Sequence, residues 1–417
     1  MRSILKDILG RVGGATPVCF QVVFADGSSL KNRPDPPAFT VRFHSRRAEA
    51  RVLLFGHVGL LESYFDQSVD IEGDIAAGFR AGMDGGFDRV DNLLVALRNR
   101  WHEWQFGNGS LVRAKANANF HYSLGTDFYR LWLDRDAMMY TCAYWKEGTA
   151  NLEEAQRNKI DHVCRKLRLQ PGESVADIGC GWGGFMFHAR QHYGVRCRGF
   201  NVADEQLEVL HAEIAKRGLA DALSVETADF REVPGGFDKC ASIGVLEHAG
   251  RDQLPDAVRA LGGCLRPGGL GVLHFIGHVG HRSTEFYIRK HIFPGGWIPG
   301  LAETLDLMER HGLEILDVEN LRRHYALTLD AWAERFERHW DDIRQIDPRR
   351  FDETFRRKWR TYLFSCAEMF RSPNGKTGLF QITFSKGNVD YAYPMSRRHL
   401  YADDVPVRAP AHAGPVA

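Results

Sequence analysis

Between residues 150 and 275 short apolar runs alternate with helical patterns, and a glycine loop follows the first run. Strands are expected at 174–178, 195–200, 223–227, 239–243 and 270–275, with helices at 185–192, 205–217 and 252–264. Strands separated by helices of this length cannot pair as hairpins. They predict a parallel, doubly wound α/β sheet with helices on both faces. The loop Gly179-Cys180-Gly181-Trp182-Gly183-Gly184 lies where the first strand turns into its helix. Glycines there let the backbone approach a nucleotide closely.

Glycines 179, 181 and 184 satisfy the dinucleotide pattern G-x-G-x-x-G literally. Two features favour S-adenosylmethionine over NAD. Asp177 stands just before the glycines, where a carboxylate can bind an ammonium group but would repel a pyrophosphate. The next strand ends in Phe200-Asn201, without the acid that a dinucleotide ribose requires there; Asp204 comes only later. Asp229 and Phe230 follow the third strand, a position suited to an adenine ring.

The chain has 417 residues, enough for two or three domains, and 44% hydrophobic content, enough for a sizeable core. Lys plus Arg number 54 against 53 Asp plus Glu, giving a net charge of +1. That excludes nucleic-acid binding through bulk charge, although residues 46–51 and 282–290 are locally basic. No apolar run approaches the roughly 20 residues that span a bilayer. The N-terminus carries no secretory pattern, so a cytoplasmic chain is expected. The 8 cysteines form no CxxC pair or metal-ligand spacing. Neither a disulfide framework nor a metal is therefore expected.

Residues 1–105 read as a separate, smaller α+β domain, with a helix at 4–12, strands at 18–23 and 39–43, and a helix at 91–104. A linker is expected at 106–120, a catalytic domain at 121–400 and a disordered tail at 401–417. Helical patterns recur at 301–310, 328–344 and 351–370, with a further strand at 379–385.

Several strings outside the glycine loop are more specific: His121-Tyr122-Ser123-Leu124-Gly125, Tyr140-Thr141-Cys142-Ala143-Tyr144-Trp145, Leu246-Glu247-His248, Leu273-His274-Phe275-Ile276-Gly277, His324-Tyr325-Ala326-Leu327 and Ser365-Cys366-Ala367-Glu368. Together they make residues 121–385 resemble the cyclopropane-fatty-acyl-phospholipid synthases and the related mycolic-acid cyclopropane synthases. The leading domain resembles the extra domain of the phospholipid-acting branch, for which a lipid-related or dimerisation role is expected.

The resemblance implies a class I S-adenosylmethionine-dependent methyltransferase fold with an added helical lid. It implies methylene transfer to a cis double bond of a membrane phospholipid's acyl chain, through a carbocation deprotonated by bound bicarbonate. The matching catalytic positions are Cys142, Glu247, His274 and Tyr325, with the Ile276 backbone; Cys366 matches a cysteine considered as a nucleophile. The cofactor would be held by Tyr140, Thr141, Ser174, Val175, Ala176, Asp177, Ile178, Gly179, Cys180, Gly181, Trp182, Asn201, Gln206, Phe230 and Arg231. Tyr122 would face the sulfonium. Thr141, Asn201 and Ser123 stand where Ser, Thr and Asp are usual in the family.

The stretch 277–300 interrupts the α/β pattern with Phe286, Phe293 and Trp297 among Arg282, Arg289 and Lys290. It is expected to form an acyl-chain wall and a basic headgroup contact. The partners implied are unsaturated phospholipids met peripherally at the inner membrane face, no nucleic acid, and, left open, a second copy of the chain. Two rivals stay open: a methyl- or methylene-branched product, and a lipid-binding protein without turnover. The intact Cys142, Glu247, His274 and Tyr325 set argues against the second.

Overall fold

The computed structural model describes residues 2–401 apart from 87–95, 99, 102–104, 106–112, 114–115, 118–119, 122, 281–283 and 392. Most of the expected 106–120 linker, most of the 91–104 helix, Tyr122, Arg282 and nearly all of the tail lie outside the described residues. The chain divides into two compact units.

The first unit joins Met1–Gly107 with two later stretches, Ser283–Gly296 and Tyr325–Thr377. Its four-stranded sheet runs in the order β2-β1-β3-β4, with β1 Phe20–Val23, β2 Ser29–Lys31, β3 Phe39–Phe43 and β4 Val69–Gly73. Alternate residues of β3 are buried, as an amphipathic strand requires. Phe20, Val22, Phe39 and Val41 pack with Leu5 and Val12 of the first helix, Arg2–Ala15. That helix is therefore docked through its apolar face. Helix Arg46–Phe65 kinks at Gly56, whose φ of 56° and ψ of −134° break the helical path. The single helix expected at 328–344 is two, Arg322–Arg338 and Trp340–Ile346, interrupted at His339.

The second unit is built on a seven-stranded sheet in the order β10-β11-β9-β8-β5-β6-β7. Its strands are β5 Ser174–Ile178, β6 Arg196–Asn201, β7 Leu223–Thr227, β8 Phe237–Ile243, β9 Leu265–His278, β10 Leu313–Asn320 and β11 Thr377–Lys386. β5 pairs in parallel with both β6 and β8, and β8 pairs in parallel with β9. β10 and β11 are antiparallel to one another. The strand expected at 270–275 is longer, β9 running from Leu265 to His278, and β10 is an addition to the expected set.

Period-2 side-chain alternation explains the two cores. Val175, Ala241 and Val272 pack on one face of the sheet, while Ala176, Cys240 and Leu273 pack on the other. The chain runs outward from β5 to β6 and β7 and then returns to β8 on the other side of β5, so strand order reverses between β5 and β8. Open α/β sheets bind ligands at such a point. Among the described residues no helix is long and apolar enough to cross a membrane.

Candidate cofactor cleft and catalytic centre

The carboxyl ends of β5, β6 and β8 surround a cleft in the second unit. It is lined by Tyr140 and Thr141, by Asp177 through Trp182, and by Asn201, Gln206 and Phe230. Gly179 has a φ of 78°, and a Cβ there would lie 2.2 Å from Val245 Cγ2. Only glycine fits. Gly181 has a φ of 55°, and its Cβ would meet nothing within 4 Å, so the turn presents bare backbone.

Asp177 is fully buried, and burial raises its carboxyl to about 7 against the opposing pull of Lys159. Its Oδ2 has no hydrogen-bond partner among the described residues. A cationic donor brought into the cleft would relieve that cost, and the ammonium group of a methionine moiety is one. Asn201 Nδ2 donates to Gln206 Oε1 at 2.8 Å, fixing both side chains at the end of β6.

The loop carrying Tyr140 and Thr141 is tied down from two sides. The buried Asp134 carboxylate accepts the Ala137 and Met139 amides, each at 2.7 Å. From helix Leu152–Leu167, Gln156 donates to the Met139 and Thr141 carbonyls, and Lys159 Nζ donates to Thr141 Oγ1 at 2.8 Å. Lys159 is fully buried, and burial lowers its ammonium to about 8 while Asp134, Cys142 and Asp177 pull it back up. The Tyr140 ring stacks on His121 at 5.5 Å and stands edge-on to Trp132.

Four residues expected at the cofactor behave differently. Val175 and Ala176 are buried in the two cores, because only the carboxyl end of β5 reaches the cleft. Ser174 begins that strand, and its N–H and Oγ both donate to Asp238 Oδ2, at 2.8 and 2.7 Å. Arg231 is spent on Asp229, to which Nε donates at 2.6 Å. Residues outside the expected set line the cleft instead, among them Met138, Val245 and His248. Burial lowers the His248 imidazole to about 4, so it is neutral.

A second polar centre is built on β8, β9 and β11. Glu247 follows β8, and its Oε1 accepts the Ile276 amide at 2.6 Å. That amide, expected to face an anion, is thus already engaged. Burial raises the Glu247 carboxyl to about 7, partly offset by the Ile276 hydrogen bond. Its Oε2 has no partner among the described residues.

His274 lies on β9, and its Nδ1 accepts from Gln381 Nε2 of β11 at 2.9 Å. The accepting Nδ1 fixes the proton on Nε2. Burial, and then the nearby Lys159 and Lys166, keep the ring well below the ordinary histidine range. His274 is therefore neutral, and its buried Nε2 has no partner among the described residues. His274 presents an orphan donor and Glu247 an orphan carboxyl oxygen among the described residues. The two chemistries suit a small oxyanion bearing a proton, such as bicarbonate, which can accept from a donor and donate to a carboxyl oxygen. Cys142 is also buried, with its Sγ 3.2 Å from the Ala143 carbonyl.

Tyr325, Cys366, Phe286 and Phe293 belong to the first unit. Tyr325 is buried, edge-on to Trp332 and 4.7 Å from the Phe370 ring. Burial pushes the Cys366 thiol up to about 12, which keeps it protonated and removes its nucleophilic form. Phe286 is covered by the Arg98 guanidinium at 4.8 Å, and Phe293 meets Tyr362 edge-on. Arg289, expected as a headgroup contact, is buried. Lys290 donates to Glu62 Oε1 at 2.7 Å.

The sheet order and the glycine turn define a class I S-adenosylmethionine-dependent methyltransferase. A family model for mycolic acid cyclopropane synthetases matches residues 110–382. The chain is 34% identical over 349 residues to a probable fatty acid methyltransferase of Pseudomonas putida, covering 81% of this chain and 85% of the relative. It is 33% identical over 346 residues to the cyclopropane-fatty-acyl-phospholipid synthase of Escherichia coli, with the same coverage. The solved cyclopropane synthase MmaA2 of Mycobacterium tuberculosis superposes with a TM-score of 0.61 at 31% identity, covering 65% of this chain and 98% of that one. A mycolic acid cyclopropane synthase solved with SAH and CTAB gives 0.60 at 30% identity, over 65% and 98%. The chain belongs to the cyclopropane synthase family.

Proposed function

We propose that this enzyme transfers a methylene group to the cis double bond of unsaturated acyl chains in membrane phospholipids, closing a cyclopropane ring. In that reading the alkene π electrons form a bond to the sulfonium methyl carbon as S-adenosylhomocysteine departs, leaving a cation on the acyl chain. Loss of a proton from the new methyl frees its C–H electron pair to close the three-membered ring. When bound, bicarbonate would supply the base.

The observation that carries the reading is the pair of buried, unpartnered groups, Glu247 Oε2 and His274 Nε2. Glu247, with its carboxyl raised to about 7, can hold or release a proton near neutrality. His274, its tautomer fixed by Gln381, offers a neutral donor that orients a negative oxygen. Asp177 would take the ammonium of S-adenosylmethionine, and the bare turn at Gly181 would admit the rest of its amino-acid portion. The enzyme would work from the cytoplasmic side, peripherally on the inner membrane face.

The near-equal identities to a cyclopropane synthase and a probable fatty acid methyltransferase keep a second product in view, a methyl- or methylene-branched chain. Incubation with S-adenosylmethionine and dioleoylphosphatidylglycerol, followed by mass and NMR analysis of the fatty acids, separates the two. Ring closure gives the mass gain of one methylene with upfield cyclopropyl protons. A mass gain without those signals would reject ring formation, and no gain would reject lipid alkylation.

A further inference from the structure

The first unit contains a cavity of about 420 Å³ that neither the methyl-transfer centre nor the cofactor cleft uses. Its walls come from the kinked helix Arg46–Phe65, from Arg98 and His291, and from the start of helix Glu353–Arg371. Phe55, Val58 and Phe65 supply the apolar part, and Arg51, Arg98, Thr354 and Lys358 the polar part.

The charges do not cancel within the cavity. Glu62 accepts from Lys290 at 2.7 Å and from His291 at 3.1 Å, so its carboxylate is already satisfied. Asp66 is held by Arg51 at 2.5 Å and by Ser68. Both acids are therefore held by cations or hydrogen-bond donors of the wall. Two further cations line the cavity. Arg98 lies over the Phe286 ring at 4.8 Å and makes no ion pair among the described residues. Lys358 makes no ion pair among the described residues, although it is half-buried and its ammonium is lowered by burial. Glu62, although shared with Lys290 and His291, still pulls the Lys358 ammonium back up, and an anion in the cavity would add a second counter-charge to this partly desolvated cation.

We propose that this cavity is a phosphate-ester site, in which Lys358 and Arg98 bind the phosphate oxygens and the Phe55–Val58–Phe65 wall packs the carbon portion of the ester. Arg51, fixed by Asp66, adds positive potential from the side. Two sources share this chemistry: the headgroup phosphate of a lipid and a free phosphate ester. The headgroup source rests on the lipid reading above, and the free-ester source does not. On either source the two binding cations differ from the 282–290 stretch expected from sequence, since Lys290 is engaged with Glu62.

The test uses the full chain. Calorimetric titration with sn-glycerol 3-phosphate is expected to show saturable binding that Lys358→Gln and Arg98→Gln each weaken about tenfold or more, the loss of one charge-assisted contact. Lys358→Arg is expected to restore most of that affinity, which separates lost charge from lost fold. Sedimentation with dioleoylphosphatidylglycerol vesicles then identifies the source. A parallel loss of vesicle binding assigns the site to headgroups, and unchanged vesicle binding assigns it to a free ester. Absence of saturable glycerol 3-phosphate binding in the wild type, or wild-type affinity in Lys358→Gln, would overturn the proposal. A failure to alkylate lipid would leave the calorimetric result standing, so the two readings fail separately.

Discussion

Replacing Glu247 by Gln is expected to stabilise the protein while disabling it, and the two effects have one cause. Glu247 is fully buried, and its carboxyl is raised from an ordinary 4.5 to about 7. A shift of that size corresponds to about 3 kcal/mol disfavouring the ionised form in the folded state. The sign follows from proton linkage: between about pH 4.5 and 7 the folded chain binds more protons at this position than the unfolded chain, so stability falls as pH rises. Gln carries no charge, and its amide oxygen can still accept the Ile276 N–H that Glu247 Oε1 accepts at 2.6 Å. The stability gained by Glu247→Gln should therefore be near zero at pH 4.5 and grow toward a ceiling of about 3 kcal/mol by pH 8. Denaturant titration of the second unit's unfolding transition, in parallel at the two pH values, measures that growth. In the same variant, lipid alkylation should drop on the order of a hundredfold, with S-adenosylmethionine affinity within about threefold, since Glu247 does not line the cofactor cleft. A stability difference independent of pH would refute the burial argument, and wild-type turnover would refute the proton-handling role.

The Asp177 carboxyl, also raised to about 7, must ionise to receive an ammonium group. Equilibrium binding of S-adenosylmethionine should therefore tighten by about eightfold between pH 6 and 7.5, and Asp177→Asn should bind weakly with a flat profile. Cys366, with its thiol pushed up to about 12, should be dispensable. Cys366→Ser should retain turnover within about twofold, and a large loss in initial-rate assays would restore a nucleophilic role.

The strands β5 to β8 were legible because each is a short, largely apolar run, whereas β10, with Glu314, Asp317 and Glu319 along it, was not. The glycine loop was legible because Gly179 tolerates no side chain. The family string across β5 carried less than its length suggests. Adjacent strand residues point to opposite faces, so Val175 and Ala176 fill the cores and the Asp177-to-Trp182 end lines the cleft. Gln381 and Lys159 were not legible. Gln381 meets His274 only because β11 inserts beside β9, and a local sequence pattern does not report strand insertion. Lys159 reads as a solvent-facing helix lysine until the 134–142 loop folds over it; its spacing of three from Gln156, which anchors the same loop, was the available signal.

The interleaved make-up of the first unit also sets a timetable for its biosynthesis. The core of Phe20, Val22, Phe39 and Val41 with Leu5 and Val12 is complete within the first 81 residues and can collapse early. Tyr64, Phe65 and Ile75, however, pack against Tyr287 and Phe364, which emerge from the ribosome much later. Arg80 likewise waits for Glu368, whose carboxylate it bonds through two N–H groups at 3.1 Å. At ordinary rates of synthesis the wait is on the order of tens of seconds. Through that interval the nascent chain carries an uncovered apolar face. A fragment cut at residue 107 would carry it permanently, because the residues that close this unit lie as far along the chain as Phe364 and Glu368.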